Sequence, residues 1–182
     1  MGLHSNREQA MDPNGNKLVQ ELVEKVKSNL NEDGKLMPTF FVHGERPKDF
    51  KLDEGEEDGW EDKGALYILG MEIEDGMKQK LAEAMRDFAK SKNADWTMFV
   101  TECYMKGYDK DEEPVNDGTP VRDMPGRIEA VMFSFEGPDG DYMALAPIRF
   151  KADKPCLLEV KFEKNEQPGE GTFSNLLGKR VA

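Results

Sequence analysis

The sequence contains few of the residues on which most enzymes depend. Among 182 residues there are 2 Cys and 2 His, and their positions lack the paired spacing that holds zinc. Neither Gly-x-x-x-x-Gly-Lys-Ser/Thr nor Gly-x-Gly-x-x-Gly occurs, so the two common phosphate-binding loops are excluded. We therefore expect no cofactor and no bound metal ion.

Long apolar runs are missing as well. A helix that spans a bilayer needs roughly 20 apolar residues, and no stretch of this chain approaches that length. The N-terminus has no apolar region of the signal-peptide kind. These absences predict a cytoplasmic protein in which Cys103 and Cys156 are buried and reduced, while a single bridge between them stays an open alternative.

Positive charge is in deficit. The chain has 25 Lys and Arg against 37 Asp and Glu, which gives a net charge of −12. Such a field repels nucleic acid phosphate and anionic lipid, and no cluster of basic residues is apparent in the sequence. We therefore expect no direct nucleic acid binding and no membrane binding. The charge is explained either by solubility or by attraction of a basic protein partner.

Two stretches, residues 44–63 and 109–126, concentrate the acidic residues and have no periodicity. Long loops in compact domains are often functional. They do not match the helix-flanked calcium loop, whose sixth position is Gly, because that position counted from Asp109 is Pro114. Solvated loops and a protein-binding surface remain as alternatives. On the second alternative the binding residues are Glu54, Glu56, Glu57, Asp58, Asp109, Asp111, Glu112 and Glu113.

Two segments have the residue spacing of amphipathic helices. The first, residues 17–31, ends before Gly34, and its apolar stripe is Val19, Leu22, Val23, Val26 and Leu30. The second follows Asp75, whose side chain is suited to cap it, and its stripe is Met77, Leu81, Ala84, Met85 and Phe88. Contact with the core of the domain explains both stripes.

The strand candidates favour an antiparallel sheet. Residues 36–43 contain Pro38, which is tolerated at the start of a strand or at an edge. Residues 64–71 are apolar on both faces, which predicts a central strand. Residues 96–105 follow the second helix, and Gly137-Pro-Asp-Gly140 joins two further strands as a hairpin. A last strand is expected where Cys156, Leu158, Val160 and Phe162 alternate with charged residues.

This order of elements predicts an α+β fold, with an antiparallel sheet of about five or six strands and two amphipathic helices packed on one face. The predicted organisation is a flexible N-terminal arm over residues 1–16, a single domain over residues 17–164 and a C-terminal tail over residues 165–182. Within the tail, Phe173, Leu176 and Leu177 can dock as a short turn of helix.

The strand Gly64-Ala-Leu-Tyr-Ile-Leu-Gly70, the helix after it, and the strand Ala94-Asp-Trp-Thr-Met-Phe-Val-Thr-Glu102 form one pattern. Together with Glu129-Ala-Val-Met-Phe133 and its hairpin, this pattern resembles small uncharacterised proteins of bacteria and their phages. The resemblance covers about half of the chain. It implies an α+β fold and a bacterial or phage setting, and it transfers no activity and no functional residue.

One pair of residues could in principle support nucleophilic catalysis. His43 and Cys103 both fall near predicted strand ends, and a thiol beside an imidazole can form a reactive thiolate. A structural His and a buried Cys are the commoner interpretation, and Glu102 on the same site would raise the pKa of the thiol. The sequence therefore favours a protein without catalysis.

The leading functional hypothesis is a non-catalytic protein-binding module that uses its acidic loops or an exposed sheet edge, with the blocking of a basic cleft as a specific variant. One alternative is a carboxylate- or metal-dependent enzyme with its site between the acidic loops. The other is a homo-oligomeric structural domain that pairs through the Pro38 strand or the final strand.

Overall fold

The computed structural model describes residues 12–50, 64–108, 111–114, 117–166, 172–174 and 176–177. Single turns of 3-10 helix occur at Asp75–Met77 and Val121–Asp123. No helix in these described ranges is long and apolar enough to cross a membrane. The regular elements in chain order are α1 (Lys17–Asp33), β1 (Thr39–Glu45), β2 (Gly64–Gly70), α2 (Lys78–Ser91), β3 (Trp96–Met105), β4 (Ile128–Gly137), β5 (Gly140–Pro147), β6 (Arg149–Lys151), β7 (Lys154–Cys156) and β8 (Glu163–Lys164).

Helix α1 confirms the predicted stripe and its stop signal. The side chain of Asn16 accepts a hydrogen bond from the Val19 amide at 3.2 Å and so satisfies one free N–H of the first turn. At the other end, Gly34 has a φ of 77° and donates its N–H to the Leu30 carbonyl. The buried residues of the helix are Val19, Leu22, Val23, Val26 and Leu30.

Helix α2 starts later than expected. A 3-10 turn occupies Asp75–Met77, and the N-cap position of α2 is Met77, which makes no side-chain cap bond. The predicted cap at Asp75 and the predicted stripe are therefore wrong in detail, since Met77 and Ala84 are exposed. The buried residues of α2 are Ala82, Met85 and Ala89, and Leu81 and Phe88 are partly buried beside them.

The strands confirm an α+β fold with a six-stranded antiparallel sheet, in the order β2-β1-β3-β4-β5-β8, and add a small two-stranded sheet of β6 and β7. The predicted hairpin joins β4 to β5, where Gly137 pairs with Gly140. Strand β1 begins just after Pro38 and lies in the interior of the sheet, between β2 and β3. The prediction that residues 64–71 form a central strand is wrong, because β2 is an outer strand.

The two helices lie on opposite faces of the sheet, so their predicted placement on one face is wrong. Phe41, Met98 and Val100 join the residues of α1 in one apolar cluster. Phe40, Val42 and Phe99 join the residues of α2 in the other cluster. Successive side chains of a strand point to opposite faces. Because residues 40–42 of β1 and 98–100 of β3 are consecutive apolar residues, each face of the sheet needs its own cover.

The predicted last strand is replaced by an irregular segment. No strand is formed between Cys156 and Glu163, and the expected alternation fails at Leu158, which is 74% exposed, while Phe162 is buried as expected. The carboxamide of Asn14 takes the place of a neighbouring strand. Its Oδ1 accepts from the Phe162 amide and its Nδ2 donates to the Phe162 carbonyl, both at 2.9 Å.

Candidate functional site

The outer side of β2 is the candidate interaction site. Among the described residues β2 pairs with β1 alone, over all seven of its positions from Gly64 to Gly70. In an antiparallel pair, every second residue directs its N–H and C=O away from its partner strand. Such an edge is a template on which another extended segment can pair.

An apolar side chain stands out on this edge. Ile68 pairs with Phe41 and therefore lies on the α1 face of the sheet. It is 61% exposed, whereas Tyr67 and Leu69 on the α2 face are partly buried against the second cluster. An exposed β-branched residue in the middle of an outer strand is the feature that natural proteins usually avoid in strands that must remain unpaired.

Acidic residues flank both ends of the edge. Glu45 pairs with Gly64 at the start of β2, and Glu72 and Glu74 follow its end. All three side chains are exposed. The connection from β1 to β2 adds the acidic residues of 51–63 in sequence, although their placement lies outside the described residues. An extended segment on this edge would therefore meet an apolar centre, with Glu45 and Arg46 at one end and Glu72 and Glu74 at the other.

Contacts on the α2 face hold β2 in place. The Tyr67 hydroxyl donates to the Glu45 carbonyl at 2.7 Å, and its ring lies edge-on to Phe88 at 5.7 Å between ring centroids. The Lys92 ammonium lies 4.9 Å from the same ring, a distance at which a cation is attracted to the ring face. At the start of β2, Arg46 Nε donates to the Gly64 carbonyl at 2.8 Å. These contacts fix β2 in one position.

The predicted acidic binding residues divide into two groups. Glu54, Glu56, Glu57, Asp58 and Asp109 lie outside the described residues. The other three, Asp111, Glu112 and Glu113, are exposed, and Glu112 forms an ion pair with Lys106 at 3.6 Å. A surface ion pair of this kind contributes little to stability, about 0–1 kcal/mol.

The two acidic stretches leave the sheet at opposite ends of β3. The first loop leaves the sheet after Glu45, at the end where β3 begins with Trp96 next to His43. The second loop leaves after Met105, at the other end of β3. A strand of that length spans about 30 Å. The enzyme hypothesis placed a site in a cleft between these loops, and the positions at which they leave the sheet do not bring them together.

The possible nucleophile pair is also separated. His43 pairs with Trp96 at the start of β3, whereas Cys103 pairs with Ala130 near its far end, so the two side chains are roughly 20 Å apart along the strand. Burial raises the pKa of the Cys103 thiol, which disfavours the thiolate. The His43 ring instead stacks on Trp96 at 5.3 Å between centroids, with Nδ1 3.2 Å from a carboxylate oxygen of Asp95.

Cys103 and Cys156 are free thiols, so the single bridge that the sequence left open is not formed, and both are only partly buried, not buried as predicted. In the part of the chain that the structure describes, no group of three or more His, Cys, Asp or Glu side chains is arranged to hold a metal ion.

Comparison with protein-family models, with curated proteins and with solved structures found no match for this chain. The geometry of the β2 edge is therefore the main guide to function. Sequence reasoning named a sheet edge as a possible binding surface but assigned residues 64–71 to the interior. Residues 64–71 are apolar at most positions, so the sequence alone does not distinguish Ile68 from its neighbours.

Proposed function

We propose that this protein is a non-catalytic protein-binding module, which pairs the outer edge of β2 with an extended, basic segment of a partner protein. The observation that carries the proposal is Ile68, 61% exposed in the middle of an outer strand whose ends are flanked by acidic side chains. The setting proposed for this interaction is the cytoplasm of a bacterium or of a phage-infected cell.

When an extended segment adds to the edge of a sheet, main-chain hydrogen bonds give affinity and side-chain contacts give specificity. The outward N–H and C=O groups of β2 after Gly64, whose carbonyl accepts from Arg46, would bond to any extended segment. Ile68 adds an apolar contact that favours a partner residue of similar character opposite it. The exposed carboxylates of Glu45, Glu72 and Glu74 favour Lys and Arg in the same segment and raise the rate of encounter.

Blocking of a basic cleft is the narrower form of the proposal. Here the acidic residues of 51–63 and 111–113 approach a surface that otherwise binds nucleic acid, and the strand pairing at β2 supplies the anchor. This form requires the partner to lose nucleic acid when the module binds. If the partner binds the module and nucleic acid at the same time, the module docks on the partner without blocking its cleft.

The first test is capture of partners on the immobilised full-length chain, with washes at about 0.05 M and about 0.5 M salt, because the Debye length falls across that range. We expect a basic partner that is retained at low salt and lost at high salt. Binding that is unchanged at high salt would contradict the acidic part of the proposal.

Two matched variants then locate the surface. Ile68→Lys places a charge on the β2 edge, and we expect it to weaken partner binding about tenfold or more, equivalent to ~1.4 kcal/mol. Leu145→Lys makes the same change at an exposed apolar residue of β5, 46% exposed, and should leave the affinity unchanged. Equal losses in both variants, or a loss only with Leu145→Lys, would place the interface elsewhere.

Self-association is the competing use of the same edge. The earlier alternative of pairing through the Pro38 strand is wrong because β1 is interior. Pairing of two β2 edges around a two-fold axis would bring the acidic flanks of both copies together, and like charges repel. We therefore expect a monomer at low salt in sedimentation velocity. A dimer that Ile68→Lys dissociates would show that the occupant of the edge is a second copy.

A further inference from the structure

The α2 face of the sheet contains a groove that is filled by the chain's own C-terminal segment. This tail segment comprises the described residues 172–174 and 176–177, and it has no helix or strand. Leu176 and Leu177 are 1% and 8% exposed and belong to the apolar cluster of α2. The Phe173 ring stacks on Phe99 of β3 at 4.9 Å between centroids.

Charged side chains of the groove contact the backbone of the tail segment. The carboxylate of Glu136, which is 4% exposed, accepts from the Leu176 amide at 2.9 Å and from the Leu177 amide at 2.7 Å. Arg86 of α2 donates through Nη2 to the Thr172 carbonyl at 3.2 Å. Backbone groups are common to all sequences, so these contacts fix the direction of a peptide whatever its side chains are.

A buried carboxylate is costly unless hydrogen-bond donors satisfy it. In most protein cores, the backbone N–H and C=O groups of a buried segment are satisfied within a helix or a sheet. Hydrogen bonds to charged side chains are then not needed. Here Glu136 and Arg86 satisfy backbone groups that an irregular peptide cannot satisfy by itself. Sequence selection is then left to Phe173 and the two leucines, the three apolar side chains of the segment.

We infer that this groove is a peptide-binding site for partner segments with the pattern Phe-x-x-Leu-Leu, and that the tail segment occupies it as an internal competitor. The residues before it, 167–171, read Gln-Pro-Gly-Glu-Gly, a composition typical of linkers. The tail segment belongs to no strand of the sheet, so its release leaves every strand pairing intact. This inference is independent of the β2 edge.

Attachment to the same chain gives the tail segment an effective concentration in the millimolar range. A free peptide therefore competes poorly in the unmodified protein and better when the tail segment is weakened. This difference can be measured in the full-length chain.

The experiment is fluorescence anisotropy with a labelled peptide of residues 169–182. The double variant Phe173→Ala, Leu177→Ala weakens the tail segment and leaves the groove unchanged. We expect it to bind the peptide at least about tenfold more tightly than the unmodified chain does, since the internal competitor is weakened. A peptide with Ala at the position of Phe173 should bind weakly to both proteins.

Glu136→Gln on the same background is the groove control. An amide offers one acceptor oxygen in place of two, so peptide binding should fall about tenfold again. A double variant that is folded by circular dichroism, yet binds the peptide no better than the unmodified chain, would overturn the inference.

If the double variant does not fold, amide hydrogen exchange of the unmodified protein tests the same inference. An exchangeable tail segment opens locally, so the Leu176 and Leu177 amides should exchange at least about tenfold faster than the slowest amides of β3 and β4. Equal protection would show that the tail segment opens only with global unfolding, and that result would also overturn the inference.

Discussion

At the scale of single residues, burial changes the pKa of individual side chains. Tyr142 of β5 is an example. Its hydroxyl donates to Asp139 Oδ2 at 3.1 Å, and its ring lies edge-on to Phe135 at 6.1 Å between centroids. Burial, and then the Asp139 carboxylate, raise the pKa of Tyr142 to about 12 from the ordinary value of 10.0.

This pKa predicts how stability depends on alkaline pH. Since the pKa in the folded chain lies above that in the unfolded chain, folding favours the neutral phenol. The stabilisation is fully present below about pH 10 and is lost as the pH rises through about 12. We expect Tyr142→Phe to remove this part of the alkaline loss, measured by urea unfolding across that range.

Tyr104 provides the matched control because it is 43% exposed. Tyr104→Phe should retain the alkaline loss of the unmodified protein. If Tyr142→Phe shows the same loss as Tyr104→Phe, the pKa of Tyr142 does not govern this behaviour.

At the scale of elements, the end of α2 packs directly on the backbone of β1. Gly44 has no side chain, and a Cβ at that position would overlap the Lys92 carbonyl oxygen. The same oxygen accepts a hydrogen bond from the Glu45 amide at 2.8 Å. A larger residue must therefore push α2 away from the sheet and stretch this bond.

We expect Gly44→Ala to destabilise the protein by ~1–3 kcal/mol, the range typical of overpacking. Gly76→Ala is the matched control, because a Cβ there meets nothing within 4 Å, and it should change stability by less than about 0.5 kcal/mol. Chemical denaturation of both variants measures the difference. Equal stability of the two variants would contradict the close packing between α2 and β1.

The elements also show what sequence could and could not predict. The spacing and caps of α1 are local signals, and its stripe was predicted residue by residue. The outer position of β2 depends on pairing across the sheet, and β2 appears central in sequence because Leu66 packs on one face while Tyr67 and Leu69 pack on the other. A strand can be buried on both faces of the sheet and still have a neighbouring strand on only one side.

The sequence contains a signal for the placement of the two helices on opposite faces of the sheet. Phe40, Phe41 and Val42 are consecutive apolar residues of β1, and Met98, Phe99 and Val100 are consecutive in β3. Such runs are typical of strands covered on both faces, which favours one helix on each side. The contact of Asn14 with Phe162 had no comparable signal, since it joins residues far apart in sequence through one carboxamide.

At the scale of the whole molecule, the net charge of −12 and the β2 edge support the same kind of partner. Negative charge keeps copies of the chain apart, which protects an exposed edge from pairing with itself. On the proposed function, the same charge would attract a basic segment from another protein. The proposed groove for the tail segment is on the α2 face, whereas Ile68 lies on the α1 face, so the two proposals can be tested separately.

The proposed function requires that a partner segment pairs with the outer edge of β2. The most direct measurement is amide hydrogen exchange of the full-length chain with and without the captured basic partner, resolved at single residues. Strand addition should slow exchange at alternate amides of β2, because only every second N–H points outward, and should leave β5 unchanged. Unchanged exchange across Gly64–Gly70 in a saturated complex would contradict the claim.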